Sequence, residues 1–340
     1  MIEDARYLRA GFVPSEVVHR DPEVNYLSNV LRPLVDGEPA DTVFITGPTG
    51  SGKTCITKFT VNRLRQNNLD IESIYINCWN DHTRFQVLND ILEEVQNTVD
   101  IHRQSTPHDA LLDRLRDHDG PPCVVTLDEV DQLEDKKLLY ELNQMRGFSL
   151  IFIANDRDEL LAKVDDRLAS RLRGAEQIRF HRYTSAELVD ILRERAKRGL
   201  IPDAIADEEL ETIADDASGD ARVAIATLRI ATKQAKRENA DKITSDRVEA
   251  AAPSARKEIR QKNLESLTDH QREVYDIIEE FGELAPSEFY QEYRTRVKNP
   301  KSDRTVRNYL QKMKRYNLVR ADGSTQDRIY HCIESTDSGS

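Results

Sequence analysis

The segment TVFITGPTGSGKT, Thr42 to Thr54, decides the fold. Its first five residues are β-branched or aromatic and suit a buried strand, and the rest spells Gly-x4-Gly-Lys-Thr opening onto a helical pattern. Glycines let successive backbone N–H groups curl around a phosphate at a helix N-terminus, where the helix dipole favours negative charge. The loop therefore implies a bound nucleotide, ATP or ADP. Gly47, Gly50, Ser51, Gly52, Lys53, Thr54 and Cys55 would hold it, with Lys53 reaching the β- and γ-phosphates and the Thr54 hydroxyl coordinating Mg²⁺.

Outward from this loop, short apolar runs alternate with helical patterns from Thr42 to Phe180, the signature of a parallel sheet covered on both faces. The expected strands are TVFIT from Thr42, SIYIN from Ser73, CVVTL from Cys123, SLIFIA from Ser149 and EQIRF from Glu176. CVVTL runs into Asp128-Glu129, where a phosphate-loop site needs acids. Asp128 would hold Mg²⁺ through water, and Glu129 would orient or deprotonate the attacking water. IFIAN places Asn155 at the carboxyl edge of the sheet, able to position water. Arg171 and Arg222 could complete neutralisation of the γ-phosphate.

After Phe180 only helical patterns continue: Ser185 to Gly199, Asp207 to Ala217, Ala221 to Arg237 and Ser245 to Gln261. Charged, uncapped sequence around Arg256 to Asn263 then leads into a third unit. It has helices near Asp269 to Phe281, Pro286 to Tyr293 and Asp303 to Arg315, then two strand-like runs around the turn pair Asp322-Gly323. The fold class expected is α/β, a P-loop parallel-sheet domain at 1–180, followed by an all-α lid domain at 181–262 and a winged-helix domain at 263–340. The tail Ser335 to Ser340 is small and polar, an expected disordered end.

Arg294 to Arg320 carries ten Lys or Arg residues and a single acid, Asp303, a local balance of 10 − 1 = +9. The chain as a whole has net charge −12, its 49 basic residues being 15 Lys and 34 Arg against 61 acids, so this inversion is local. Charges further apart than about 8 Å are largely screened, so the cluster outweighs the total. After Ser302, a candidate N-cap, Val306, Tyr309, Leu310 and Met313 form an apolar stripe. Arg304, Arg307, Asn308, Gln311 and Arg315 form the opposite stripe, able to address base edges and phosphates, with Arg320 and Arg328 on the hairpin wing. The other reading of that face is a solvated surface on a protein-interaction domain.

At 340 residues the chain exceeds the about 250 at which one core stops growing, so two or three domains are expected. No apolar run approaches the about 18 residues a membrane helix needs, and Met1 to Gly11 has no signal-peptide core, which predicts a cytoplasmic protein without a membrane partner. Cys55, Cys78, Cys123 and Cys332 are scattered, so neither zinc nor a disulfide framework is indicated.

Taken together, the loop, LDEVD (Leu127 to Asp131), IAND (Ile153 to Asp156), ASRL (Ala169 to Leu172) and GDAR (Gly219 to Arg222) stand in the order of an AAA+ ATPase. From VVHRDPEV (Val17 to Val24) onward, the chain resembles the archaeal origin-recognition and cell-division-cycle type initiator family. The resemblance implies Lys53 and Thr54 as Walker A, Asp128 and Glu129 as Walker B, Asn155 as sensor 1 and Arg222 as sensor 2. It implies Arg171 as an arginine finger acting on a neighbouring protomer, a self copy or a paralogue. Tyr183 and Arg195 match a pair that lies by the nucleotide in the family, and the VHRD segment resembles the part that closes over adenine. The chain departs from the family in having Phe180-His-Arg before Tyr183, where a proline is usual. It is also short between the Cys78 and Cys123 strands, where the family carries a DNA-touching element of which Val99 to Pro107 would be the remnant.

The function expected from the resemblance is an ATP-dependent initiator that binds double-stranded origin DNA, helps load the replicative helicase and is nucleoid-associated. Its hydrolysis would be slow and regulatory. The alternative is a winged-helix P-loop ATPase switch regulating transcription or signalling, against which Glu129 and Arg171 weigh. A clamp-loader-like motor would not ordinarily end in a basic winged helix.

Overall fold

The computed structural model describes residues 1–340 apart from 69, 80–82, 96–105, 163, 283, 324–328 and 334–340. The chain divides into two compact units, one of residues 9–194 and 218–221, the other of 1–8, 195–217 and 222–340.

In the first unit α1 (Asp21–Val30) precedes β1 (Val43–Thr46), α2 (Lys53–Asn67), β2 (Glu72–Asn77), α3 (Arg84–Val95), α4 (His108–Arg116) and β3 (Cys123–Asp128). There follow α5 (Lys137–Leu142), β4 (Phe148–Ala154), α6 (Arg157–Leu161), α7 (Asp166–Arg173), β5 (Glu176–Arg179) and the start of α8 (Ser185–Gly199). The five strands form one parallel sheet in the order β2-β3-β4-β1-β5, as the βα alternation predicts. Every residue of the central strands β3 and β4 is buried.

Period-two alternation divides the apolar side chains between the faces. Phe44, Ile74, Ile76, Val125, Leu127 and Phe152 meet Val87, Leu88 and Ile91 of α3 and Leu111 and Leu115 of α4. On the other face Val43, Ile45, Val124, Ile151, Ile153 and Ile178 meet Val24 and Leu27 of α1 and Ile56 and Val61 of α2. Each fully buried side chain of this kind contributes about 1.5–3 kcal/mol, which makes the sheet a stiff platform for whatever its carboxyl edge carries. Most of the Val99 to Pro107 segment lies outside the described residues.

The second unit contains the end of α8, then α9 (Asp207–Asp216), α10 (Ala221–Arg237), α11 (Ser245–Glu265), α12 (Asp269–Phe281), α13 (Pro286–Arg296), α14 (Asp303–Arg315), β6 (Val319–Asp322) and β7 (Ile329–Cys332). Small side chains close its helical part, with Ala214, Ala224, Ala231, Ala251 and Ala255 fully buried beside Leu210 and Leu228. The amino terminus belongs here too: Ile2 bridges Leu200, and the N–H groups of Glu3 and Asp4 donate to Gly199 O.

Two details correct the sequence reading. The helix expected at Ser245 to Gln261 runs further, because α11 continues through Glu265. Arg, Lys, Glu and Gln are good helix formers, and Arg260 donating to the Tyr275 hydroxyl (2.8 Å) and Asn263 to Tyr316 O (3.3 Å) hold the extension against the last three-helix group. Nor is Asp322-Gly323 a two-residue turn, since Asp322 still pairs with Ile329 in the β6–β7 ladder. The connection is therefore residues 323–328, of which Gly323 is described.

Candidate functional site

Because β3, β4 and β1 are adjacent, the residues at their carboxyl ends are neighbours: Asp128 closes β3, Asn155 follows β4 and Gly47 follows β1. Gly50 and Gly52 take positive φ values of 76° and 96°. A Cβ on Gly50 would overlap the Asp220 carboxylate, and one on Gly52 the Tyr183 hydroxyl, so backbone and space both demand glycine. Ser51 is fully buried and donates to Pro48 O (2.8 Å), closing the loop on itself. Gly52 caps α2 without any side-chain hydrogen bond, which leaves the first N–H groups of that helix without a capping side chain. Cys55 sits half-buried in the first turn.

Lys53 is 9% exposed and saturated: Nζ donates to Gly47 O (2.6 Å), Pro48 O (2.9 Å) and Asn155 Oδ1 (3.2 Å). Thr54 Oγ1 donates to Asp128 Oδ2 at 2.5 Å. The other oxygen of Asp128 accepts the Glu129 N–H (2.8 Å), and Glu129 itself stands in the left-handed region at φ 55°. Such a conformation costs a non-glycine residue about 1–3 kcal/mol and persists where the surroundings enforce it. Lys53, Thr54, Asp128, Glu129 and Asn155 are thus brought together at one edge of the sheet.

Tyr75, Lys58 and Tyr140 escaped the sequence reading, whereas Arg20 stands in the VHRD segment already singled out. Tyr75 on β2 donates its hydroxyl to Asp128 Oδ2 (2.7 Å), and Lys58 on α2 lies 3.4 Å from the centre of its ring. Burial and the Asp128 charge push the Tyr75 hydroxyl up, and burial pulls Lys58 down. Arg20, 6% exposed, stacks 4.1 Å from the Tyr183 ring and donates to Ser51 O (3.2 Å) and His181 O (2.8 Å), so it joins the start of α1, the loop and the segment after β5. Burial raises the pKa of Tyr183. Tyr140 on α5 carries Arg167 and Arg171 of α7 over its ring, each at 4.9 Å, and holds Arg171 at an exposed position.

Ala221, which donates its N–H to Gly50 O (3.1 Å), precedes Arg222 in the chain. Arg222 belongs to the second unit, in the first turn of α10. Arg195 is in that unit as well, buried, with Nη1 donating to Tyr7 O at 2.9 Å.

On α14, Ser302 accepts from the Thr305 N–H and caps the helix, as expected. Val306, Leu310 and Met313 are buried and Tyr309 half-buried, while Arg304, Arg307 and Gln311 are exposed and Asn308 and Arg315 half-buried. Arg307 donates to the Tyr290 hydroxyl (3.3 Å), and Arg320 on β6 stands 3.4 Å from the Asp322 carboxylate. Lys312 departs from the basic face: it is 3% exposed and donates to Gln271 Oε1 (3.1 Å). Arg328 lies outside the described residues.

Residues 37–161 match the AAA domain family, and residues 189–253 match the Cdc6 AAA+ ATPase-type lid domain. The chain is 53% identical over 336 residues to ORC1-type DNA replication protein 9 of Halobacterium salinarum, covering 99% of this chain and 95% of that relative. The chain belongs to the ORC1-type DNA replication protein family. A second relative in Halobacterium salinarum, ORC1-type DNA replication protein 1, is 49% identical over 308 residues, 91% of this chain and all of that one. Among solved structures, the Aeropyrum pernix ORC1 protein in complex with DNA superposes with a TM-score of 0.74 at 24% identity, covering 97% and 92% of the two chains. Cdc6p from Pyrobaculum aerophilum gives 0.66 at 18% identity over 98% and 94%. At such identities these likenesses show the fold.

Membership makes the chain a replication-initiator AAA+ ATPase that binds ATP and ADP, with the α/β P-loop core and helical lid that the sequence predicts. The signalling or transcriptional switch is not favoured. Among the described residues, no helix is long and apolar enough to cross a membrane.

Proposed function

We propose that the chain binds double-stranded origin DNA and helps load the replicative helicase, with the nucleotide on its phosphate loop setting when it is active. The paired contacts Lys53–Asn155 and Thr54–Asp128 at the ends of adjacent strands carry the reading. Lys53 neutralises the phosphates, Asn155 and Glu129 position the attacking water, and Glu129 takes its proton. Arg222, Tyr183 and Arg195 contribute to nucleotide binding. Arg171 reaches the nucleotide of a neighbouring protomer, a self copy or a paralogue. Functionally, 1–180 would serve as the ATPase part, 181–262 as the lid and 263–340 as the DNA-binding part.

Mg²⁺ fits the donors present, because a hydroxyl and a carboxylate 2.5 Å apart give a hard, oxygen-only set. Thr54 would bind the ion directly and Asp128 through water. When bound, the ion would supply positive charge to offset the charge that develops on transfer. Its protein ligands are expected to be few, since the phosphates complete the shell.

DNA is held by Arg304, Arg307, Asn308, Gln311, Arg315, Arg320 and Arg328, in a protein of the cytoplasm and nucleoid. The relative solved in complex with DNA supports this reading. The test is footprinting on the DNA upstream of the chain's own gene and on random DNA, with ATP, with ADP and without nucleotide. A protected sequence that depends on ATP is expected, and absence of sequence preference under all three conditions overturns the reading.

A further inference from the structure

Tyr75 stands at an unremarkable place in the sequence, the third residue after the start of an edge strand. Its neighbours Ile74 and Ile76 enter the core on the α3–α4 face, so alternation sends Tyr75 to the opposite face, above α2. A tyrosine there has an ordinary explanation: an aromatic strand former covering the lysine stem of Lys58.

The hydroxyl does more than that explanation needs. It donates at 2.7 Å to Asp128 Oδ2, the same oxygen that accepts from Thr54 at 2.5 Å, while Oδ1 accepts the Glu129 N–H at 2.8 Å. Three donors from β2, α2 and the β3 edge therefore fix both oxygens of one carboxylate. The parallel β2–β3 register, with Tyr75 opposite Thr126 and Asn77 opposite Asp128, lets the long phenol reach forward two residues to the carboxylate. The Lys58 ammonium, 3.4 Å from the ring centre, restrains the ring from the other side.

We propose that Tyr75 is a positioning residue for Mg²⁺: its hydroxyl locks the Asp128 carboxylate in the orientation that receives the ion's water, and Lys58 locks Tyr75. The proposal rests on the assignment of Asp128 as the Mg²⁺-holding acid. A carboxylate free to turn about its last torsion must be ordered when the ion arrives, whereas one already held is not. Removing an outer partner of this kind typically weakens metal binding by about 10–100-fold.

The experiment uses the full chain. Tyr75→Phe keeps the ring and its contact with Lys58 and removes only the donor. Mg²⁺ is titrated against ATP hydrolysis and, separately, against binding of a fluorescent ADP analogue, with binding in EDTA as the metal-free reference. The expected result is a rise of about tenfold in the Mg²⁺ concentration at half effect, in both titrations. Affinity in EDTA should stay within about twofold, and kcat at saturating Mg²⁺ should fall far less than the half-effect concentration rises. Lys58→Met should move the Mg²⁺ midpoint in the same direction by a smaller factor, and it serves as the second variant if Tyr75→Phe folds poorly. A merely structural tyrosine would lower thermal stability and metal-free affinity and leave the Mg²⁺ midpoint in place.

Asp128→Asn separates the two ideas. If it abolishes the Mg²⁺ dependence and neither Tyr75→Phe nor Lys58→Met shifts the midpoint, the inference about Tyr75 is overturned and the Asp128 assignment stands. If Asp128→Asn keeps the parent's Mg²⁺ dependence, the assignment itself fails and the inference with it.

Discussion

The cation of the phosphate loop and the cations of α14 are held in opposite ways. Lys53 is buried, and its ammonium donates to three oxygens. Arg304 and Arg307 project from an exposed face whose order comes from the other side of the helix, where Val306, Leu310 and Met313 are buried. A buried, fully bonded charge acts through position and is expensive to disturb. Exposed guanidiniums act through summed charge, so each contributes little and salt screens all of them. The first arrangement suits chemistry on one phosphorus atom, and the second suits grip on a long polyanion.

The largest break of that contrast is expected at Glu129, where the effect is on a rate. Glu129→Gln preserves shape and the strained turn while removing the base, so hydrolysis should fall about 10²–10⁴-fold with ATP affinity retained. Single-turnover hydrolysis alongside equilibrium binding reads both, and equal hydrolysis by variant and parent would refute the role. Next comes Lys53→Ala, which removes a charge-assisted donor worth about 1.5–3 kcal/mol per bond. ATP binding should weaken about hundredfold, measured by titration with a fluorescent analogue.

The two regions were also unequally legible. The nucleotide edge could be read because each residue was announced by a local pattern: a glycine loop after a strand for Lys53, a strand running into acids for Asp128, a strand end for Asn155. Tyr75 and Tyr140 carried no such pattern, since what they do depends on cross-strand register and on side chains arriving from distant elements. On an edge strand Tyr75 reads as a strand former, and Arg20 was legible as part of the VHRD segment but not as the residue that stacks on Tyr183. The stripe on α14 was legible from its 3.6-residue period, but Lys312 sits at a position that periodicity leaves on the margin and turns inward to Gln271. Only the last turn of α11, beyond the expected end at Gln261, was not legible, because its charged end shows no apolar stripe and its order comes from contacts to Tyr275 and Tyr316 made elsewhere in the fold.

The basic face should fail when its hidden side fails. Leu310 is 1% exposed, and Leu310→Ala should cost about 2–5 kcal/mol of local stability through the cavity it leaves. Hydrogen exchange of α12 to α14 reads this directly, and DNA affinity should fall with it although no cation has been touched. Protection equal to the parent's would mean that α14 is held by something other than its apolar stripe.

The smallest effect belongs to the exposed cations. Each phosphate contact contributes about −0.9 to the slope of log affinity against log salt on duplex DNA, so about five contacts predict about −4.5. Arg304→Ala with Arg307→Ala should move the slope to about −2.7, since two contacts go. Affinity loss is then largest at low salt and shrinks as salt rises, which a stability defect would not produce. Lys312→Met provides the contrast within one helix: its ammonium is buried against Gln271, so the slope should stay at the parent's value. Fluorescence anisotropy of a labelled duplex at four salt concentrations measures all three. A double variant whose slope matches the parent's would put the phosphate contacts on another face, and a shift for Lys312→Met equal to that of one arginine would show that burial does not withdraw a cation from the count.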